Sequence, residues 1–334
     1  MSRKVFLVTL LCAVTAFAGF VGWAMRGMSD KGGELAVQQT QDLELPSNSR
    51  TAALPLDEGI EQMNGSELAM QEDLSSAIRA LTDPTVSERL RLDLARRIDT
   101  GLESGDVDYL FGLFRHNPGG DNKVWWVVLN EIMQQMDAKG VGADRFEAEL
   151  IQLVKSKGAH EVARDYAVQH LALWIRNQGS GLSPESSEAV KMGQAMQAIA
   201  DTITDPSLSG TSIPGTAIMS LTQASRQLPE EISAPVWQRL DPLLSSMMKG
   251  ETKADLGMRT SIVQAVALRD SQAHLPLIRE MARDAEIDPS MRLTSIAALG
   301  VYRSEEDKSY LESIANSNDR FRYAAQSALK KFQN

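Results

Sequence analysis

Near the C-terminal end of this chain a single apolar template recurs at a spacing of about thirty residues, and that recurrence limits the folds open to it more than any other feature. Phe321, Ala325, Ala328, Leu329 and Phe332 fall at i, i+4, i+7, i+8 and i+11, which is one face of an α-helix. Thirty residues earlier Met291, Ser295, Ala298, Leu299 and Tyr302 lie on the same template, and thirty-three before that Met258, Ile262, Ala265 and Val266 fit it again. The residue after each start is arginine: Arg322, Arg292 and Arg259. The segments between repeat as well. Leu243, Leu244, Met247 and Met248 correspond to Leu277, Ile278, Met281 and Ala282, and then to Tyr310, Leu311, Ile314 and Ala315. Two helix types alternating at one period describe stacked hairpins, because each hairpin can bury its apolar face only against the next.

Upstream the same phase returns more loosely, at Leu90, Leu94, Ile98, at Trp125, Val128, Leu129, Ile132, and at Ala163, Ala167, His170, Leu171, Trp174. Short breakers such as Asp83-Pro84, Gly140, Gly158, Asp205-Pro206, Gly250 and Asp288-Pro289 punctuate the helices. Thr85 with Glu88 reads as a capping box opening one of them. Between about 180 and 230 the pattern is weakest, and the run DPSLSGTSIPGT predicts a long loop or an irregular repeat. Alternating β-branched runs are missing and aromatic residues make up only 5%, which argues against an all-β fold.

The segments DPSMRLTSIAALGVY and NDRFRYAAQSALKKF, with GMRTSIVQAVALRD as a poorer third, resemble HEAT-type repeats, including the bacterial HEAT-like kind. The resemblance covers residues 236–334 well and 66–235 loosely, where spacings of 31 to 50 residues depart from one period. It implies an α-solenoid with a quasi-linear core, of the armadillo type. It also implies protein or peptide binding, the usual work of such proteins, although a minority of them modify substrates or carry enzymes.

The other strong feature is N-terminal. Val5 to Met25 is an uncharged stretch whose helical length is about 30 Å, the thickness of a bilayer's hydrocarbon core. Arg3 and Lys4 precede it and Trp23 stands near its far end, where an amphipathic ring favours the interface. A cleaved signal peptide is the competing reading, with Ala16-Phe17-Ala18 as the small-residue site, but uncharged residues continue past Ala18 to spanning length. The expected order is a basic flank at 1–4, a transmembrane anchor or signal peptide at 5–25, and a flexible linker at 26–65. An irregular helical-repeat region at 66–235 and HEAT-like repeats at 236–334 follow. The charge bias places the N-terminus inside and the domain outside the cytoplasm, so the expected location is the cell membrane, single-pass, with a periplasmic domain. Thr15, Ala18, Gly19 and Gly22 share a small-residue face on which another membrane helix could pack. Asn64-Gly65-Ser66 matches a glycosylation acceptor, a weak three-residue signal.

The formal net charge is −10, and beyond the hydrophobic segment 32 basic residues face 44 acidic ones. Such a surface repels phosphate backbones, and no run of five Lys/Arg offsets it, so no nucleic-acid partner is expected. The single cysteine, Cys12, lies in the hydrophobic segment, which removes disulfides, thiolate catalysis and Cys-based zinc from the domain. Four histidines remain. His160-Glu161 begins like a zinc-protease motif, but Arg164 stands where the second histidine would be. His160 and His170 are about 280° apart around a helix, and His170 occupies a core position of the template. His116 and His274 fit no motif.

Phosphate loops, dinucleotide fingerprints, kinase motifs, calcium loops and nucleophile elbows are all missing. Asp106 with Asp108, and Glu305, Glu306 and Asp307, sit at helix starts, where capping and the macrodipole account for them. Arg259, Arg292 and Arg322 could form a row of cations gripping an acidic peptide. A structural ladder, each arginine bonding a neighbour's carbonyl or acidic side chain, is favoured by Asp288 and Asp319 just upstream. Trp125, Trp126, Trp174 and Trp237 could anchor a partner, yet their helical spacing places most of them in the core. No catalytic, cofactor or metal residue is therefore nominated, and no enzyme is expected. The sequence leads to a membrane-anchored helical-repeat scaffold for a protein or peptide partner in the cell envelope. The alternatives are an accessory subunit of a membrane complex, or an enzyme whose site the sequence does not betray.

Overall fold

The computed structural model describes residues 74–116 and 123–333. Among the described residues there are fourteen α-helices and no strand. The hydrophobic segment at 5–25 with Cys12 and its Thr15/Ala18/Gly19/Gly22 face, the linker at 26–65 and Asn64-Gly65-Ser66 all lie outside the described residues. No described helix is long and apolar enough to cross a membrane.

The helices pair in chain order: α1 (Leu74–Ala80) with α2 (Glu88–Arg96), α3 (Ser104–Arg115) with α4 (Lys123–Lys139), and α5 (Phe146–Lys155) with α6 (Glu161–Gln178). Next come α7 (Ser187–Thr204) with α8 (Ile213–Ser225), and α9 (Glu230–Lys249) with α10 (Leu256–Leu268). Then α11 (Leu275–Arg283) pairs with α12 (Pro289–Tyr302), and α13 (Glu305–Ala315) with α14 (Arg322–Lys330). Even-numbered helices pack against one another in a continuous second layer from α2 to α14, and odd-numbered ones form the first layer over it. Every substantial contact joins helices no more than two apart in the chain. That is the signature of an α-solenoid, whose core is a seam shared between neighbours.

The template residues fill this seam. Met291, Leu299, Ile262, Ala325, Leu311, Ile278 and Leu244 are all fully or almost fully buried. Burying each large aliphatic side chain is worth about 1.5–3 kcal/mol, which an isolated hairpin could not collect. Small residues set the spacing. A Cβ added to Gly300 would lie 2.5 Å from Ala328 Cα, so the backbones of α12 and α14 approach closely at that point.

Two local expectations are corrected. The cap of α2 is Ser87, whose hydroxyl accepts from the Leu90 N–H at 3.3 Å. Thr85 is held two residues earlier, because Asp83 accepts both its N–H and its hydroxyl in an Asx turn around Pro84. Of the two readings of 180–230, a long loop or an irregular repeat, the loop gives way to two helices. In α7 the residues Ala189, Ala195, Met196, Ala198 and Ile199 form a buried face of strong helix formers. The polar run spans only the 3₁₀ turn Pro206–Leu208 and the start of α8. Within α8 the buried Thr222 donates to its own helix at the Ile218 carbonyl, so a residue that reads as loop is satisfied inside the core.

Candidate binding surface

The arginine row is largely withdrawn from the surface. In each of three hairpins the fourth residue of the second helix donates to a carbonyl in the last turn of the first. Arg164 Nε reaches Val154 O at 3.1 Å, Arg259 Nη2 reaches Met248 O at 2.7 Å, and Arg292 Nε reaches Ala282 O at 3.1 Å. The last turn of a helix leaves carbonyls unpaired at the negative end of its dipole, so a guanidinium placed there answers both needs. Asp319 stands 4.0 Å from Arg292, while Asp288 is committed to capping α12 through the Ser290 N–H. Arg322 departs from the pattern: it bonds the Tyr323 hydroxyl at 2.8 Å. In that last hairpin Gln326 takes over, donating to Ala315 O at 3.3 Å. The ladder reading therefore holds for Arg259 and Arg292. Arg164 is a rung that periodicity could have revealed, since it follows the template residue Ala163 as the other arginines follow theirs.

The acidic groups at helix starts do more than cap. Asp307 is fully buried and accepts from Arg279 Nε at 2.9 and 3.0 Å, which locks α11 to α13. Asp106 occupies the same third helical position and accepts from Ser75 Oγ at 2.5 Å and Arg79 Nη2 at 3.3 Å, locking α1 to α3. Glu306 pairs with Arg279 at 2.8 Å, and Asp108 with Arg145 at 2.7 Å. These groups link successive hairpins.

The four histidines are not brought together. His116 is exposed beyond the end of α3. His160 caps α6, its Nδ1 accepting from the Val162 N–H at 3.2 Å, and its ring stacks on Trp126 at 4.3 Å. His170 is buried against Asn130, with Nε2 3.0 Å from Oδ1, and burial pushes its pKa down to about 4. His274 lies 2.7 Å from Ser271 Oγ through Nδ1, and Nε2 donates to the Asp241 carbonyl at 3.3 Å. A serine beside a histidine invites a catalytic reading. Here His274 is 1% exposed, and its Nδ1 takes the serine's own hydrogen because Nε2 must donate to a carbonyl. Arg269 extends this cluster, contacting both Asp241 oxygens at 2.7 Å and lying 4.0 Å over Trp237. Tyr302 donates to Val266 O and Ser271 O, and burial raises its pKa. The whole cluster pins α9, α10, α11 and α12 together. Among the described residues no group of three or more metal-ligating side chains converges.

Trp125, Trp126 and Trp237 are buried, and Trp174 is half-buried against the core. Two of the few large apolar side chains left exposed stand at equivalent places. Leu293 on α12 is 44% exposed and Tyr323 on α14 is 36% exposed. They are thirty residues apart, each directly after the arginine that follows a template start. Two adjacent repeats thus display a large side chain from the same position. The signal stands in the sequence, one residue after Arg292 and Arg322.

A family model of HEAT repeats matches residues 241–330. No curated protein sequence matches the chain. Among solved structures, human deoxyhypusine hydroxylase in complex with glycerol is similar over 80% of this chain and 98% of its own, at 13% identity and a TM-score of 0.32.

Proposed function

We propose that the HEAT repeats at 241–330, together with the hairpins before them, form a membrane-anchored, non-enzymatic scaffold that holds a protein or peptide partner in the cell envelope. The observation that carries this reading is the equivalent exposure of Leu293 and Tyr323 on successive repeats. Arg292, beside Leu293, is committed to the Ala282 carbonyl of its own hairpin, and Arg322 to the Tyr323 hydroxyl. A partner that matched one such position would match the next at the repeat spacing, which is how solenoids turn weak contacts into specific ones. The anchor at 5–25 would keep the domain at the bilayer, and the linker at 26–65, with an r.m.s. reach of roughly 35 Å if flexible, would set how far it can search.

The test is capture from solubilised membranes with the tagged full-length chain, beside a Leu293→Glu/Tyr323→Glu double variant of equal melting temperature. The reading expects a discrete partner with the parent and its loss with the variant. Equal capture by both would remove the flank from the interface, and no partner at all would sink the scaffold. Replacing residues 5–25 with an unrelated anchor separates the accessory-subunit alternative, which requires the native anchor for capture. A reporter fused at the C-terminus reads out the sidedness.

A further inference from the structure

We propose that the flank around Leu293 and Tyr323 takes an acidic peptide, whose bulky apolar side chain seats on those two residues while its carboxylates meet Arg303, Lys330 and Lys331. The inference rests on the scaffold reading and names the chemistry of the partner that flank would hold. It starts from a segregation of charge. The second-layer helices α8, α10, α12 and α14 contain no acidic residue. Burial in that layer does not explain this, because α2, α4 and α6 of the same layer carry two each. In the first layer beside them, α13 alone carries Glu305, Glu306, Asp307 and Glu312. A chain of net charge −10 thus keeps one run of adjacent helices free of carboxylates.

Within that run the free cations gather at one place. The backbones of α12 and α14 meet where Gly300 lies against Ala328, and Arg303 and Lys331 each stand three residues further along their own helix. That approach brings the two C-caps together, with Lys330 next to them. Their upstream counterparts are spent inside the array: Arg226, the cap of α8, donates to Leu268 O at 2.6 Å, and Arg269, the cap of α10, holds Asp241. The side chains of Arg303, Lys330 and Lys331 make no hydrogen bond or ion pair among the described residues. A helix dipole accounts for a cation at each C-terminus, but not for two neighbouring caps left without a counter-ion. Burial and the Arg303 charge both lower the Lys331 pKa. Arg303 also holds φ 52, a left-handed conformation that glycine adopts without strain, so this cation is held at a conformational cost. Leu293 and Ala297 form the exposed side of α12, and Tyr323 and Ser327 that of α14, all of them uncharged. From Leu293 to Arg303 the helix runs about 15 Å, which an extended chain covers in about four residues. A flat anionic bilayer fits less well, because Leu293 and Tyr323 keep more than half of their surface packed and offer little to insert.

Random peptides displayed on phage, panned against the full chain in detergent micelles, should enrich a bulky apolar residue about four positions from Asp or Glu. Synthetic copies should bind Arg303→Gly about fivefold more weakly, and Arg303→Gly/Lys331→Gln about twentyfold more weakly. Both losses should shrink as salt rises. Arg303→Gly should hold its melting temperature, since glycine accepts that φ, so weaker binding there is not unfolding. Lys155→Gln, in the first-layer helix α5, should change nothing, which separates a local site from general charge attraction. Enriched peptides without carboxylates, or equal affinity for the double variant, overturn the proposal. So does binding to phosphatidylglycerol vesicles that the double variant loses while no peptide is enriched. Capture of a membrane partner that survives Arg303→Gly/Lys331→Gln but not Leu293→Glu/Tyr323→Glu removes the acidic preference and leaves the scaffold standing. If the parent captures no partner the scaffold falls, and enrichment of acidic peptides then stands as a property of the flank alone.

Discussion

The hairpins from α9 to α14 and those from α1 to α6 solve the same problem with different materials. In the later group helices α10 to α14 are short, 9 to 14 residues, and the second helices of its hairpins all begin on the same template. In the earlier group α4 and α6 run 17 and 18 residues, and large aromatics such as Trp125 and Phe146 fill the seam. Extra helical turns change the spacing between equivalent residues, so periodicity fades while the two-layer order persists. The groups also differ in how completely their polar atoms are satisfied. Among the described residues Arg91 Nε, Trp125 Nε1 and His170 Nδ1 are buried without a hydrogen-bond partner in the earlier group, against Arg269 Nη1 in the later one. Each such atom costs about 1–3 kcal/mol. The regular repeats are therefore the settled part of the array, and the earlier hairpins carry more uncompensated polarity.

The sharpest test of that contrast is Asp307→Ala, which removes the buried acceptor shared by Arg279 and Arg283, leaving Arg279 with Glu306 and the Ser304 hydroxyl, and should cost about 3 kcal/mol in chemical denaturation. Its upstream equivalent, Asp106→Ala, should cost about half as much, because Arg79 is 55% exposed and can turn to water. Equal losses would contradict the difference. Next, Arg164→Met should cost about 1.5 kcal/mol by orphaning the Val154 carbonyl, whereas Arg292→Met should cost less, because the Tyr310 hydroxyl still donates to the Ala282 carbonyl. A matching pair of values would contradict that difference.

Smaller effects should follow pH. Burial raises the Asp137 carboxyl on α4 to about 6, above its unfolded value, so its penalty is present above that pH and relieved as pH falls toward 4. Asp137→Asn should stabilise the domain by about 1 kcal/mol at pH 8 and by nothing near pH 4, read by thermal melts. His170 runs the other way: with its pKa lowered to about 4 against 6.5 unfolded, stability drains as pH drops through that interval. His170→Gln should flatten that limb. The least effect belongs to the caps, where Ser87→Ala should cost about 0.5–1 kcal/mol and Thr85→Ala less.

Most of the C-terminal architecture was legible in the sequence because Met258, Met291 and Phe321 mark equivalent positions with no insertion between them. The segment 180–230 was not, since Thr222 and the serines of α8 hide their polarity by bonding within their own helix, which a pattern of residue types cannot express. Of the exposed flank, Leu293 and Tyr323 stood beside the residues under scrutiny but read as ordinary helix positions.

Because every helix leans only on those next to it, the domain has no keystone. A pull applied between the two ends of the array would be passed along the row like tension in a chain of links, each yielding a little. Damage to one hairpin would cut the row there and leave intact lengths on either side.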